Sequence, residues 1–389
     1  MKKLKIGIFI DSYFPLIDGV VMVVDNYAKR MSEYADVVVV TPEIKGKKYN
    51  DNFSYRVRRV KSIKIPIAGY SLAAPIFDKG LIKELMNENF DIIHIHSPFT
   101  MGKLGIKVAK KMNIPVVATM HTQFKLEFLR YSKSEKISNL LIKNIINVFN
   151  KCDKCWAVND KVASIFFNDY HSSVYPGVLN NGTDLNIVDN PKEAISSIDK
   201  KYNINKNDYV FLFVGRINIL KNITFIVEVM NYLKKDKMKF KMLFVGSGSD
   251  EKILEDKINS YSLQDCIILT GSVTDRELLK QIYYRADLFI FPSLFDASSL
   301  VQVEAASQKT PTIFIEGSAT SNTIINNRNG YVAPNDPELF ALRIKNIMKN
   351  KKEYDEVCEN SYNEVYKSWD TITKKVYNEY IKIINEKRR

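Results

Sequence analysis

Short apolar runs alternate with amphipathic stretches along this chain, and the pattern stops once near the middle before it begins again. Apolar runs of this kind are typical of strands that are buried on both faces of a parallel sheet. The amphipathic stretches between them fit crossover helices. The alternation therefore predicts an α/β fold with two doubly wound domains of similar size.

The predicted elements restart after a polar stretch, Leu185–Ile198, which we interpret as a linker. The predicted strands are Lys5–Ile10, Ala35–Val40, Ile92–Ile95, Val116–Met120, Lys154–Val158, Val210–Val214, Lys241–Val245, Ile267–Leu269, Leu288–Phe291 and Thr312–Ile315. The predicted helices are Val21–Tyr34, Lys103–Met112, Glu135–Asn150, Ile223–Lys234, Glu251–Tyr261, Asp275–Tyr284 and Val301–Ser307.

Positive charge is concentrated in the first part of the chain. The 389 residues carry a net charge of +13, and residues 1–150 hold 24 Lys and Arg against 13 Asp and Glu. Such asymmetry indicates an anionic partner, which is nucleic acid, an anionic membrane surface or a phosphorylated acceptor. The alternative is a genome rich in Lys, Asn and Ile codons, which explains the total charge better than the asymmetry. We expect no nucleic acid, because no basic motif is interleaved with aromatic residues.

Residues 55–80 combine basic and apolar side chains. A peripheral membrane protein presents that combination to anionic lipid, although ordinary loops with solvated charge would have the same composition. The segment predicts binding to anionic membranes that weakens with salt.

Two basic residues follow the predicted strand Val210–Val214. Gly215 ends this strand, and Arg216 and Lys221 lie in the loop before the next helix. A diphosphate requires cations and backbone N–H donors held together, and a strand–turn–helix with two basic residues provides both. The alternative is two solvated basic residues at a helix start.

Two carboxylates bracket the loop after the predicted strand Leu288–Phe291. Asp296 precedes a helix, and Glu304 lies inside that helix among apolar neighbours. Ser298 or Ser299 is suited to the N-cap, so the first N–H groups of the helix would point at an anion. A buried carboxylate requires a partner. A ribose diol would serve, and a structural ion pair is the alternative.

Glycine and histidine lie at the carboxyl ends of the strands predicted for the first half. Gly19 opens the first helix and would let the backbone approach a phosphate or a sugar. His94 and His96 lie on one side of one strand, and His121 ends the next strand. No further ligand is spaced to complete a metal set with them or with the Cys-x-x-Cys pair at 152–155, so we expect no bound metal.

Taken together, these motifs resemble the GT-B glycosyltransferases of family 4 over essentially the whole chain. The pieces that carry the resemblance are Gly7–Val20, His96–Phe99, His121-Thr122, Asn181–Asp184, Gly215–Lys221, Gly271–Val273 and the acid–seven–acid motif from Asp296 to Glu304. Within the family, His96–Phe99, His121–Gln123 and Phe149–Asp153 are similar to diacylglycerol glucosyltransferases.

The resemblance implies two Rossmann-like domains that face each other across a cleft. An acceptor-binding domain would span residues 1–187 and a sugar-nucleotide-binding domain residues 194–365, with a C-terminal helix, residues 366–389, packing back on the first domain. Arg216 and Lys221 would bind the diphosphate and stabilise it as it leaves, and Glu304 would hold the ribose. The other implied contacts are Gly19, Gly215, Ser272, Val273, Ser298, Ser299, Leu300 and Val301 for the donor, His121 and Asp296 for the transferred sugar, and His96 and Phe99 for the acceptor side of the cleft.

The implied reaction is transfer of a hexose from a nucleotide sugar with retention of configuration. Glucose and a UDP-linked donor are expected, with no cofactor and no metal, and the lack of any Asp-x-Asp sequence agrees with this. The expected acceptor is diacylglycerol or a glycolipid, reached from the cytoplasm at the inner face of the cell membrane. Asp296 stands where the family usually has Glu, and Ala297-Ser298-Ser299 stands where Gly-Phe-Gly is common.

Three alternatives remain at the level of sequence. The acceptor of the transferase could be a polysaccharide precursor or a protein. A sugar-nucleotide epimerase or a phosphorylase could share the two-domain cleft, but it would not need this Arg–Lys and acid–acid combination. A non-catalytic sugar-nucleotide binder, acting as a partner subunit, would accommodate Asp296. The sequence does not predict an oligomeric state.

Overall fold

The chain folds into two compact units, each built around one parallel sheet. The computed structural model describes residues 3–44, 51–64 and 71–389. Unit 1 consists of residues 1–181 and 369–389, and unit 2 consists of residues 182–368. The predicted α/β class with two Rossmann-like domains is confirmed.

Unit 1 contains a seven-stranded parallel sheet. The strands of this sheet are β1 (Lys5–Phe9), β2 (Asp36–Pro42), β3 (Arg56–Val60), β6 (Ile92–Ile95), β7 (Val116–Met120), β8 (Lys154–Ala157) and β9 (Gly177–Val178). Two further strands, β4 (Ser62–Lys64) and β5 (Ser71–Ala73), form a separate antiparallel pair. The first helices of unit 1 are α1 (Gly19–Met31), α2 (Leu81–Asn87), α3 (Thr100–Met112), α4 (Phe124–Ser132), α5 (Glu135–Phe149) and α6 (Asp160–Ser164). The strand order of the main sheet is β3-β2-β1-β6-β7-β8-β9.

Unit 2 contains a six-stranded parallel sheet. Its strands are β10 (Tyr209–Val214), β11 (Phe240–Val245), β12 (Ile267–Gly271), β13 (Leu288–Phe291), β14 (Thr312–Ile315) and β15 (Tyr331–Ala333). Its helices are α7 (Pro191–Tyr202), α8 (Ile223–Lys235), α9 (Glu251–Ser260), α10 (Arg276–Arg285), α11 (Leu300–Ser307), α12 (Pro337–Lys349) and α13 (Lys351–Asn360). The strand order is β12-β11-β10-β13-β14-β15, and β10 and β13 in its middle are fully buried over most of their length.

The last helix, α14 (Trp369–Arg388), belongs to unit 1 and packs on α1. The Trp369 ring meets the Tyr27 ring edge-on at 5.9 Å, and the Tyr380 hydroxyl hydrogen-bonds His94 Nδ1 at 2.6 Å. The predicted C-terminal helix on the first domain is therefore confirmed. Where the chain enters and leaves unit 2, its two ends pair, because the Thr183 N–H donates to the Lys367 carbonyl at 2.9 Å.

The predicted linker Leu185–Ile198 is wrong in its second half, where α7 begins at Pro191. The side chain of Asn190 caps this helix by accepting from the Glu193 N–H, and proline is favourable in the first helical turn. Two residues one turn apart, Ala194 and Ile198, are buried. The polar character of the stretch reflects the exposed face of an amphipathic helix.

Candidate functional site

The chain leaves two neighbouring strands of unit 2, β10 and β13, towards opposite edges of the sheet. β10 is followed by β11 on one side, and β13 is followed by β14 on the other. Ligands of open parallel sheets bind outside the carboxyl ends of the strands at such a switch point. The loops after β10 and β13, residues 215–222 and 292–299, therefore define the candidate site of unit 2.

The loop after β10 is shaped by glycine and by two asparagines. Gly215 adopts a φ of +154°, which side-chain-bearing residues rarely adopt. The Asn218 side chain accepts from the Leu220 N–H at 2.8 Å and starts a 3₁₀ turn that ends at Lys221. Asn222, in the left-handed conformation, leads into α8. Arg216 is exposed and Lys221 is half-buried at this carboxyl end, as the sequence predicted for a strand–turn–helix.

Two further glycines let the loop after β11 pack against the loop after β10. A Cβ added at Gly246 would lie 1.9 Å from the Gly215 carbonyl oxygen, and one at Gly248 would lie 2.1 Å from that of Ile217. Such distances leave no room for any side chain. Gly246-Ser-Gly248 is thus more than a turn, because it allows the two loops to form one wall of the site.

Lys221 and Asp296 bring the two loops together. The Lys221 ammonium lies 2.5 Å from Asp296 Oδ1, and the two side chains are 27% and 19% exposed. Lysine carries three donor hydrogens, so this bond leaves two of them for other acceptors. The two residues predicted to act on the diphosphate and on the sugar are therefore direct neighbours.

The helix start predicted after Asp296 is present. The Ser299 hydroxyl caps α11 by accepting from the Gln302 N–H at 3.2 Å, and Leu300 and Val301 form the first turn. Ser298 precedes the cap. The first N–H groups of this helix lie at the switch point, where they favour an anion.

Ser272 and Val273 follow β12, the edge strand on the same side as β11. The Ser272 hydroxyl lies 2.7 Å from that of Ser247, in the loop after β11. Gly271, with a φ of +71°, turns the chain out of the strand just before them. Both residues therefore lie at the same edge of the sheet as Gly215.

Glu304 is largely buried, with its side chain 13% exposed, and has two protein partners. Arg276 Nη1 donates to Oε1 at 3.0 Å, and the Tyr283 hydroxyl donates to Oε2 at 2.9 Å. Burial raises the pKa of the Glu304 carboxyl, and the Arg276 guanidinium opposes that rise. The structural ion pair that the sequence left as an alternative is thus present. Each oxygen can accept a second hydrogen bond, so the carboxylate keeps acceptor capacity for a further partner.

In unit 1, Gly19 is the first residue of α1. The Asp18 carboxylate caps this helix by accepting from the N–H groups of Val20 and Val21, both at 2.9 Å. Among the described residues, no atom lies within 4 Å of the position that a Cβ on Gly19 would occupy. The backbone here is accessible from the side on which a side chain would stand.

Three histidines of unit 1, His94, His96 and His121, lie together at the carboxyl ends of β6 and β7, and the first two are buried. His96 Nδ1 and His121 Nε2 are 2.9 Å apart, while His94 bonds Thr119 and Tyr380. Burial lowers the pKa of His121 to about 3 and holds the pKa values of the other two well below the ordinary range. These three side chains are neutral at physiological pH.

Phe99 lies directly before α3, is 40% exposed, and meets the ring of Phe124 edge-on at 5.9 Å. Over residues 3–44, 51–64 and 71–389, no three His, Cys, Asp or Glu side chains are arranged to hold a metal ion. Neither His94 with His96 nor the cysteine pair at 152–155 forms part of such a cluster.

Both units match models of one family of enzymes. The model for glycosyltransferase family 4 covers residues 17–187, and the model for group 1 glycosyl transferases covers residues 194–364. The chain belongs to the family 4, group 1 glycosyltransferases. It is therefore an enzyme that acts on a nucleotide sugar, and the predicted family is confirmed.

Similar glycosyltransferases of known name include two lipid-modifying enzymes. The chain is 27% identical to the α-monoglucosyldiacylglycerol synthase of Acholeplasma laidlawii, over 90% of this chain and 93% of that one. It is 26% identical to the synthase of the same name from Streptococcus pneumoniae, over 83% and 73%. The fold matches that of Anabaena HepE, solved with UDP-glucose, with a TM-score of 0.75 at 15% identity over 97% and 99%.

The sequence analysis did not identify the two partners of Glu304, Arg276 and Tyr283, or the second partner of Arg276, Asp184. Arg276 and Tyr283 lie 28 and 21 positions before Glu304, and Asp184, which also bonds Arg276, lies 92 positions before Arg276. The motif Asn181–Asp184 was a signal for Asp184, but nothing local indicates which helix faces Glu304. The two contacts to Glu304 follow from the packing of α10 on α11.

Proposed function

We propose that this enzyme transfers a glucosyl group from UDP-glucose to diacylglycerol or a glycolipid, with retention of configuration and without a metal. The observation that carries the proposal is the pair of cations at the switch point of unit 2. Arg216 and Lys221 lie there beside the first turn of α11. Two cations and a helix N-terminus suit a diphosphate that gains charge as its glycosyl bond breaks.

In the proposed reaction, the cations stabilise the diphosphate as it departs. Asp296 fixes Lys221 through the 2.5 Å bond, and the remaining N–H groups of the ammonium donate to phosphate oxygens. Retention follows if the acceptor hydroxyl attacks from the face that the diphosphate leaves. A phosphate oxygen then takes the hydroxyl proton, so no divalent cation is needed to neutralise the leaving group.

The names of the similar proteins support the choice of donor. The relatives from A. laidlawii and S. pneumoniae are monoglucosyldiacylglycerol synthases, and HepE was solved with UDP-glucose. We extend both to this chain. Ser272 and Val273 would then flank the uracil, Glu304 would hold the ribose, and Gly19, His121 and Asp296 would contact the phosphate and the glucose.

An exposed apolar surface on unit 1 supports a lipid acceptor. We call it the α4–α5 surface, and its members are Leu126, Tyr131, Ile137, Leu140 and Leu141, with Leu140 61% exposed. On α5, Ile137 and Leu140 lie on the side away from a buried face formed by Ile142, Ile145 and Ile146, and Leu141 lies at the margin of that face. Helices with two apolar faces use the outer one to contact a partner or a membrane.

Lysines flank the α4–α5 surface. Lys133, Lys136 and Lys143 are exposed, and no carboxylate of the described residues forms an ion pair with them. Basic side chains around an apolar surface complement the anionic headgroups of a membrane. We therefore propose that the enzyme docks through this surface on the inner face of the cell membrane.

The arginines of residues 55–80 are less suited to bind anionic lipid than the lysines around the α4–α5 surface. Arg56 pairs with Glu88, Arg58 with Glu84 and Arg59 with Asp51. Residues 65–70 of this stretch lie outside the described residues. Because these arginines are paired with carboxylates, the proposed membrane contact rests on the α4–α5 surface instead. None of the helices described is long and apolar enough to cross a bilayer.

The test is a transfer assay with the purified protein, labelled UDP-glucose, and diacylglycerol in liposomes, with and without EDTA. We expect α-linked glucosyl lipid in both arms, with the anomer assigned by NMR. Donor binding without turnover would instead indicate a non-catalytic partner subunit. Transfer only to a glycan or protein acceptor would overturn the lipid proposal, and loss of activity in EDTA would overturn metal independence.

A further inference from the structure

Glu304 is held by two residues from one face of α10. Arg276 is the first residue of this helix and Tyr283 lies two turns later, so both side chains reach α11 from the same side. Each takes one oxygen of the Glu304 carboxylate, at 3.0 Å and 2.9 Å. This grip fixes the carboxylate plane and leaves one acceptor position on each oxygen.

Arg276 also bonds a second carboxylate. Its Nη2 donates to Asp184, which lies two residues after the chain enters unit 2. The guanidinium therefore bridges Glu304 and Asp184, and its planar fork orients both bonds. Both are ion pairs of a half-exposed arginine, but the Glu304 side chain is only 13% exposed.

The charges around Glu304 act in opposite directions. Burial raises the pKa of its carboxyl, the Arg276 guanidinium and the Tyr283 hydroxyl lower it, and the Asp184 carboxylate raises it. The other charged residues on elements packed against α11 have partners of their own. Glu277 pairs with Lys280, Lys309 with Glu359, and Glu364 with Arg328.

We propose that Arg276 is a positioning residue that keeps Glu304 ionised and oriented for the nucleotide, and that Asp184 restrains this effect by sharing the guanidinium. The inference rests on the proposed function, in which Glu304 accepts from the ribose hydroxyls. Because Arg276 and Tyr283 already occupy one acceptor position on each oxygen, Glu304 can accept from two further hydroxyls only when it is ionised. The state of Glu304 therefore controls nucleotide affinity.

Two substitutions are expected to move the pH dependence of nucleotide binding in opposite directions. In Arg276→Gln, loss of the cation raises the pKa of Glu304, so affinity falls at a higher pH than in the wild type. In Asp184→Asn, loss of the anion lowers that pKa, so affinity persists to a lower pH. A purely structural role would weaken binding without opposite shifts.

The measurement is calorimetric titration with UDP and with uridine between about pH 5 and pH 8. The second phosphate ionisation of UDP lies near pH 6, and uridine avoids it. On the acid side, we expect roughly tenfold weaker binding for each unit by which the Glu304 pKa rises. Glu304→Gln removes the titrating group, so its uridine affinity should not vary with pH, with or without Arg276→Gln.

Arg328→Gln is the matched control, because Arg328 is an exposed arginine of unit 2 that pairs with Glu364 instead. Arg276→Lys keeps the positive charge, so its nucleotide affinity at acid pH should be close to that of the wild type and not to that of Arg276→Gln. Thermal melts identify any variant that fails to fold. If wild-type protein binds no UDP, GDP or ADP, the proposed function fails. If it binds and Arg276→Gln weakens binding equally at every pH, only the inference about Arg276 is overturned.

Discussion

The two units place chemically opposite groups at the carboxyl ends of their sheets. In unit 2 these groups are charged and half-buried, as in the Lys221–Asp296 pair. In unit 1 they are neutral and buried, as in the His96–His121 pair, with the pKa of His121 lowered to about 3. A leaving diphosphate needs opposing charge, whereas a sugar needs hydrogen-bonding groups of fixed protonation. The difference matches the separate roles that the proposal gives to the residues of each unit.

The largest effect is expected when a positive charge is removed from the candidate site of unit 2. We expect Lys221→Ala, and likewise Arg216→Ala, to reduce kcat by about 10²-fold or more, because each removes a cation from the departing diphosphate. The control is Lys252→Ala, which removes an exposed lysine paired with Asp256. Steady-state assays with UDP-glucose give kcat, and circular dichroism checks the fold. Turnover near the wild-type value in either site variant would contradict the proposed role.

Glycines sharpen the comparison, since one is enclosed and another is open. Gly246→Ala places a Cβ 1.9 Å from the Gly215 carbonyl oxygen and should lower the free energy of unfolding by about 2–3 kcal/mol. Gly19→Ala meets no described atom within 4 Å and should leave that free energy nearly unchanged while raising the KM for the donor. Urea unfolding and donor kinetics separate the two outcomes. Equal losses in the free energy of unfolding for Gly246→Ala and Gly19→Ala would show that the two glycines do not differ in how closely they are packed.

The proposal assigns membrane binding to the α4–α5 surface of unit 1 and to no surface of unit 2. Leu140→Asp adds an anion to the α4–α5 surface and should weaken binding to anionic liposomes about tenfold, and high salt should weaken the wild type too. The matched control is Leu342→Asp on α12, where the leucine is 48% exposed. Sedimentation with anionic and with neutral vesicles gives the binding. Equal weakening by both substitutions, or equal binding to neutral vesicles, would rule this surface out.

A further expected effect concerns the pH dependence of stability. A folded-state pKa of about 3 for His121, against an unfolded value near 6.5, means that its contribution is complete above pH 6.5 and is lost as the pH falls towards 3. The loss should be about 1 kcal/mol per pH unit, and His121→Asn should reduce it. His171→Asn is the control, since His171 is exposed with a φ of +58°, which asparagine tolerates. Urea unfolding at several pH values measures the slope, and an unchanged slope in His121→Asn would contradict the assignment.

Much of the fold follows from local pattern. The buried strands β6, β7, β13 and β14 have the predicted bounds, because continuous apolar runs between turn residues leave little choice. β3 was not predicted because its run, Arg56–Val60, is an edge strand in which three of the five residues are arginine. α7 was missed because a helix with two buried residues looks polar in sequence.

The candidate site divides in the same way. The Ser299 cap and the positions of Arg216 and Lys221 depend on neighbours a few residues away, so local pattern places them. The hydrogen bonds from Arg276 and Tyr283 to Glu304 depend on which faces of α10 and α11 pack together. That information resides in the packing of α10 on α11, and a single sequence does not specify it.

The position of α14 has a consequence for the order in which the molecule is made. Unit 2 is one continuous stretch, so all its residues have been added to the chain before Trp369. Unit 1 then still lacks the Trp369 ring that meets Tyr27 and the Tyr380 hydroxyl that bonds His94. Domains usually fold in the order of synthesis, N-terminal first. Here the domain begun first is finished last, and a nascent chain must protect the uncovered face of α1 until then.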